Sequence, residues 1–113
     1  MPFNVWAIKP STSVTFTGAS ISFSDTGDNT VVAATAGQCI RVYRIFFVAS
    51  ADTTVTIKNG TTALTGEITV FAGGAFVLEY NEEPWFTTSA GSAFVLSQTG
   101  TAQISGRLEY QKP

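Results

Sequence analysis

Apolar and polar residues alternate along most of this chain with a period of two, and no stretch sustains the spacing of an amphipathic helix. The last run is the clearest. Ala102, Ile104, Leu108 and Tyr110 fall on one side and Gln103, Ser105, Arg107 and Glu109 on the other, which predicts a half-buried strand over residues 102–110. Residues 53–58 repeat the pattern with Val55 and Ile57 inward, and Asn59-Gly60 then signals a tight hairpin into residues 61–64. Short runs rich in β-branched and aromatic side chains predict further strands at 3–8, 13–17, 20–24, 30–34, 67–71, 75–80 and 93–98. Turn residues separate them at Gly18, 25–29, Ala36-Gly37, Gly73-Gly74 and Ala90-Gly91. About eight to ten short strands with no helix between them predict an all-β fold, a single antiparallel β-sandwich of jelly-roll type.

Residues 39–49 depart from the alternation, because Ile45, Phe46, Phe47 and Val48 present apolar side chains to both faces of one strand. Both faces must then be covered. The cover is either a loop or terminal arm of the same chain, or a neighbouring subunit. Arg41, Tyr43, Arg44, Ile45 and Phe47 are accordingly candidate interface residues, with Arg41 and Arg44 expected on opposite faces of the strand.

A length of 113 residues suits one domain spanning 1–113, with residues 1–28 forming either an N-terminal arm or the first strands. In an arm, Phe3 and Trp6 would join the contact set, adding a strand to a neighbour or gripping another surface. Charged residues are only 12% of the chain, against about a quarter in ordinary domains, so the surface is mostly small and neutral. Its six basic residues are scattered, which gives no clustered field for nucleic acid. The longest apolar run, 45–49, falls far short of the roughly 18 residues of a membrane helix. Cys39, the single cysteine, has no internal disulfide partner. Together with a start that lacks the features of a secretion signal, this sets the expectation of a soluble protein assembled in a reducing cytoplasm.

Candidate chemistry is sparse. The absence of histidine removes the usual base for a Ser or Cys nucleophile and the commonest transition-metal ligand, so no catalytic residue, metal site or cofactor is expected, and no small-molecule substrate. Glu79, Glu82 and Glu83 have no second acidic cluster to face them as a glycosidase pair would. Residues 25–29, Asp-Thr-Gly-Asp-Asn, carry calcium-type oxygens without the spacing or closing Glu of an EF-hand, and turn chemistry accounts for them equally well. Trp85 and Phe86, together with Phe3, Trp6 and Tyr80, either plug the ends of the sandwich or form a platform on which a sugar or peptide stacks.

From residue 31 to 110 the chain resembles a group of small tailed-phage proteins encoded among head genes. The likeness rests on Val32-Ala33-Ala34-Thr35-Ala36-Gly37-Gln38-Cys39-Ile40-Arg41-Val42 followed by Lys58-Asn59-Gly60-Thr61-Thr62-Ala63-Leu64-Thr65-Gly66. Gly73-Gly74, Tyr80-Asn81, Trp85-Phe86 and Ser105-Gly106-Arg107-Leu108-Glu109-Tyr110 then appear in the same order. The resemblance implies a capsid decoration, or cement, protein: a β-sandwich or jelly-roll subunit that forms homotrimers. Its implied partners are itself and the major capsid protein, on the outer head surface of the virion. Similar domains in tail or fibre proteins keep a carbohydrate- or receptor-binding module open as the alternative. Glu82-Glu83-Pro84 departs from the less acidic stretch ending in glycine that the group would place there.

Overall fold

The computed structural model describes residues 15–113, and these contain ten strands and no helix. They are β1 (Thr17–Phe23), β2 (Gly27–Val32), β3 (Arg41–Ala49), β4 (Thr53–Asn59), β5 (Thr62–Ala63), β6 (Ile68–Val70), β7 (Ala75–Leu78), β8 (Phe86–Thr87), β9 (Phe94–Gln98) and β10 (Ile104–Gln111). Two antiparallel sheets result. The first has the order β1-β10-β3-β7 with β8 also on β3, and the second β2-β9-β4-β5 with β6 also on β4. Strands from the two ends of the chain interleave in each sheet, which is the strand order of a jelly roll.

Alternation sets which side chains meet between the sheets. Ile21 of β1, Ile45, Phe47 and Ala49 of β3, Val55 and Ile57 of β4, Phe94 and Leu96 of β9, and Ile104 and Leu108 of β10 are all buried in one cluster. Gln98, 2% exposed, is the largest of the three buried polar residues, beside Thr53 and Thr88. Its Nε2 donates to the Ala102 carbonyl at 2.8 Å and the Asp25 carbonyl at 3.2 Å, while its Oε1 accepts from the Thr53 hydroxyl at 3.0 Å. One amide thus ties β4 and β9 to the turn before β10 and to the β1–β2 connection.

The strand boundaries differ from the sequence pattern in three informative places. Gly18 does not end a strand; it lies within β1, where the Arg107 guanidinium on the neighbouring strand occupies the space a Cβ would need. Asn59 is the last residue of β4, paired with Thr62, so the hairpin loop is Gly60-Thr61, with Gly60 at φ +60°. Asn59 instead exchanges hydrogen bonds with Ser89, donating from Nδ2 at 2.9 Å and accepting the Ser89 amide at 3.2 Å.

The third difference is a β-bulge. Glu109 pairs with Arg44 but Tyr110 pairs with Val42, leaving Tyr43 as the extra residue on β3. Val42 and Ile45, three apart, therefore both enter the core at 0% exposure. Arg41 and Arg44 both emerge into solvent, so the expectation that they occupy opposite faces fails. An extra residue shifts the alternation by one, and nothing in the local sequence marks it.

Candidate functional site

The outer face of the first sheet is divided lengthwise. On its β1–β10 side the cross-strand pairs are small or polar: Ser22 with Ser105, Ser20 with Arg107 and Gly18 with Glu109. On its β3–β7 side Val48 stands beside Ala75, and Phe46 beside Val77. Val77 is 57% exposed and Val48 41%, both outward on strands whose alternate residues fill the core. Phe46 is half-buried, with the Arg44 guanidinium 5.9 Å from its ring centroid, within cation–π range. The turn that leads into β7 packs at the Ala49 end of β3, where Gly73 donates to the Ala49 carbonyl at 2.8 Å, and it carries Phe71 at 66% exposure.

At the other end of β3 the bulge meets an aromatic cap. The Phe16 ring lies edge-on to Tyr43 at 5.1 Å and to Tyr80 at 5.6 Å, and Tyr80 stacks on Tyr43 at 6.4 Å. Tyr43 is buried by this cover, whereas Tyr80 remains half exposed. The connection from β7 to β8 is held to β3 by the Trp85 amide on the Val42 carbonyl at 2.8 Å and the Asn81 amide on the Tyr43 carbonyl at 3.3 Å. Trp85 Nε1 donates to the Glu79 carbonyl at 2.8 Å, which fixes the indole with 44% of the residue exposed. An apolar stripe of Val48, Val77 and Phe46 thus lies along β3 and β7, with the exposed Phe71 in the turn that leads into β7 and the exposed Tyr80 and Trp85 in the connection that leaves it.

This placement revises the candidate contact residues. Ile45 and Phe47 are fully buried in the subunit's own core, Phe47 stacked on Phe76 at 5.2 Å, so neither can meet a partner. The outward residues of that strand are Phe46 and Val48. Tyr43 is shielded by Phe16 and Tyr80, while Arg41 and Arg44 are exposed as an interface would require. Phe3 and Trp6 lie outside the described residues. Phe86 turns inward against Phe94, ring centroids 6.1 Å apart, so of the Trp85–Phe86 pair only Trp85 could offer a stacking face. Val77 and Phe71 were not among the sequence candidates. A signal for Val77 was present in the unbroken apolar run Ala75-Phe76-Val77-Leu78, the same two-faced pattern that singled out β3.

The second sheet presents a different exterior. Thr56 pairs with Ser97 and Ser97 with Asp28; Thr54 pairs with Thr69, and its hydroxyl meets that of Thr99 at 2.7 Å. Val95, which also points outward, is sealed at 5% exposure between Thr30 and Lys58. Lys58 Nζ bonds both carboxylate oxygens of Asp28, at 2.9 and 3.1 Å. The Lys58 hydrogen bond holds the Asp28 carboxyl below its ordinary range; desolvation opposes it, and a Ser97 hydrogen bond and the Lys58 charge add to it.

Two open clefts, of about 500 and 440 Å³, lie at the β1–β2 corner and beside the end of β10. Ser20, Ser22, Asn29 and Gln103 line the first, Thr17, Tyr110 and Lys112 the second, and neither gathers more than one charged side chain. In the 25–29 turn Asn29 Nδ2 donates to the carbonyls of Asp25 and Gly27, the Asx chemistry of a turn. Among the described residues no group of three His, Cys, Asp or Glu side chains is placed to hold a metal ion. Comparison with protein-family models, curated proteins and solved structures finds no match to this chain.

Proposed function

We propose that this protein acts by contact alone, as a homotrimeric decoration, or cement, protein on the outer surface of a tailed-phage head. It bridges neighbouring subunits of the major capsid protein and adds buried contact area that resists internal pressure. The observation that carries a contact role is the contrast between the two outer faces. One is lined mostly by threonine and serine hydroxyls with the Asp28–Lys58 ion pair, and the other carries the apolar Val77 and Val48 at 57% and 41% exposure, with Phe71 66% exposed in the adjoining turn. Contiguous apolar surface on a small domain marks a place where another molecule sits. The phage setting and three-fold symmetry are drawn from the resemblance over residues 31–110.

Purified protein should be a trimer by light scattering at micromolar concentration and should bind isolated, undecorated shells. A stable monomer would remove the trimer, and an oligomer that ignores shells would remove the role. The half-exposed, hydrogen-bonded Trp85 favours one second reading, a carbohydrate- or receptor-binding module of a tail or fibre. A glycan array with a Trp85→Ala control separates the two.

A further inference from the structure

We propose that Asn59-Gly60 is a self-modification site, where the chain cyclises and sheds ammonia, and that the folded protein holds it shut through the β8–β9 connection. The proposal is independent of the contact role above.

The dipeptide suits the chemistry. The Gly60 backbone nitrogen attacks the Asn59 carboxamide carbon and a new C–N bond forms. The Cγ–Nδ2 bond breaks, and Nδ2 leaves as ammonia with the proton that Gly60 gives up. Water then opens the five-membered imide without any change of oxidation state. Addition at the side-chain carbonyl gives aspartate, and addition at the backbone carbonyl gives isoaspartate. Glycine in the second position makes the ring easiest to close, because no Cβ crowds the attacking nitrogen. The other asparagines among the described residues, Asn29 and Asn81, precede Thr30 and Glu82, whose side chains hinder the same step.

The fold restrains both reacting groups. Gly60 donates its N–H to the Ala93 carbonyl at 2.8 Å, so its nitrogen keeps the proton and points away from Cγ. Ser89 holds both ends of the carboxamide: Nδ2 donates to its hydroxyl at 2.9 Å, and Oδ1 accepts its amide at 3.2 Å. That amide on Oδ1 makes Cγ a better electrophile, but the withheld nucleophile decides, since no ring closes without it. Asn59 is also paired with Thr62 of β5 and Phe94 of β9, which fixes its backbone on both sides. All the side-chain and Gly60 restraints come from one segment, 89–93, so the reaction proceeds only when the hairpin opens locally from it. An isoaspartate would add a methylene to the main chain and break the register of β4 with both neighbours. An aspartate would keep that register, with Ser89 still donating to a carboxylate oxygen.

Peptide mapping by mass spectrometry of the full chain, held in mildly alkaline heavy-oxygen water, measures conversion at Asn59 and the oxygen taken up. The chain unfolded in guanidinium should convert at least about tenfold faster than the folded chain. Ser89→Ala should favour the open state and speed the folded chain about fivefold, the equivalent of one hydrogen bond. Thr54→Ala, which removes a hydroxyl pair from β4 away from the hairpin, should leave the rate unchanged. Circular dichroism checks that both variants are folded. Equal rates in the folded and unfolded wild type, or no conversion in guanidinium, would overturn the proposal. So would a Ser89→Ala chain that reacts like wild type, or equal acceleration by Ser89→Ala and Thr54→Ala.

Discussion

Replacing Gln98 by methionine tests whether the buried amide holds the sandwich together. Methionine has nearly the same length and volume, so the change removes hydrogen bonds without opening a cavity. Three bonds are lost: to the Ala102 carbonyl, the Asp25 carbonyl and the Thr53 hydroxyl. The Ala102 carbonyl is left buried and unsatisfied, which costs about 1–3 kcal/mol. Losing the acceptor of the Thr53 hydroxyl adds about 0.5–1.5 kcal/mol. The Asp25 carbonyl is only partly buried and regains water, and the better transfer of methionine offsets part of the total, leaving a net loss of about 2–3 kcal/mol. An unfolding entropy near 2.1 cal/mol/K per residue makes each kcal/mol worth about 4 °C for this length, so Tm should fall by about 8–12 °C. Differential scanning calorimetry at matched protein concentration measures the shift, because association would otherwise move Tm by mass action. Thr53→Val should be costly alone but less than additive with Gln98→Met, with a coupling of about 1 kcal/mol. A Gln98→Met protein melting within about 2 °C of wild type, or a strictly additive double mutant, would refute the reasoning.

Gly106→Ala should lower stability by about 2–3 kcal/mol or more, seen as a loss of soluble protein or of Tm, because its methyl would run into the Phe46 carbonyl on the adjacent strand. Tyr43→Ala should cost about 3 kcal/mol in chemical denaturation by removing the ring that Phe16 and Tyr80 cover. Tyr43→Phe should stay within about 1 kcal/mol of wild type, which isolates packing from the hydroxyl. Asp28 has a folded pKa depressed by Lys58, so its contribution is present above the unfolded carboxylate value and is lost as pH falls through the folded one. Solvent exposure limits that contribution to about 0.5 kcal/mol, and Asp28→Asn should lower Tm by about 2 °C at neutral pH and not measurably in strong acid.

Strand existence was readable in this chain because one face of each sheet is buried and the other is mostly small and polar. Val55 and Ile57, or Ile104 and Leu108, announce their direction by alternation, and the structure places all four in the core. The two-faced run over β3 was equally visible and marked the correct strand for the apolar stripe. Its direction was not visible, because in a run of four apolar residues either parity satisfies the pattern. Cross-strand pairing decides it: Ile45 and Phe47 face the second sheet, leaving Phe46 and Val48 outside. The bulge at Tyr43 has no signature in a single strand, since it exists only as a mismatch between β3 and β10. Gly18 misled for a related reason. Glycine marks a turn when the backbone needs its freedom, but here it admits Arg107 from a neighbour that lies far along the chain.

β10 sits between β1 and β3, although it is made after both of them. During synthesis β1 and β3 therefore leave the ribosome without the neighbour that separates them, each exposing the backbone edge β10 will fill. Their apolar residues Ile21, Ile45 and Phe47 have no complete sheet to close over until that strand arrives. The first sheet therefore cannot be completed until β10 is made, and a chain cut short before Ile104 should accumulate as sticky fragments prone to pair with one another in place of β10.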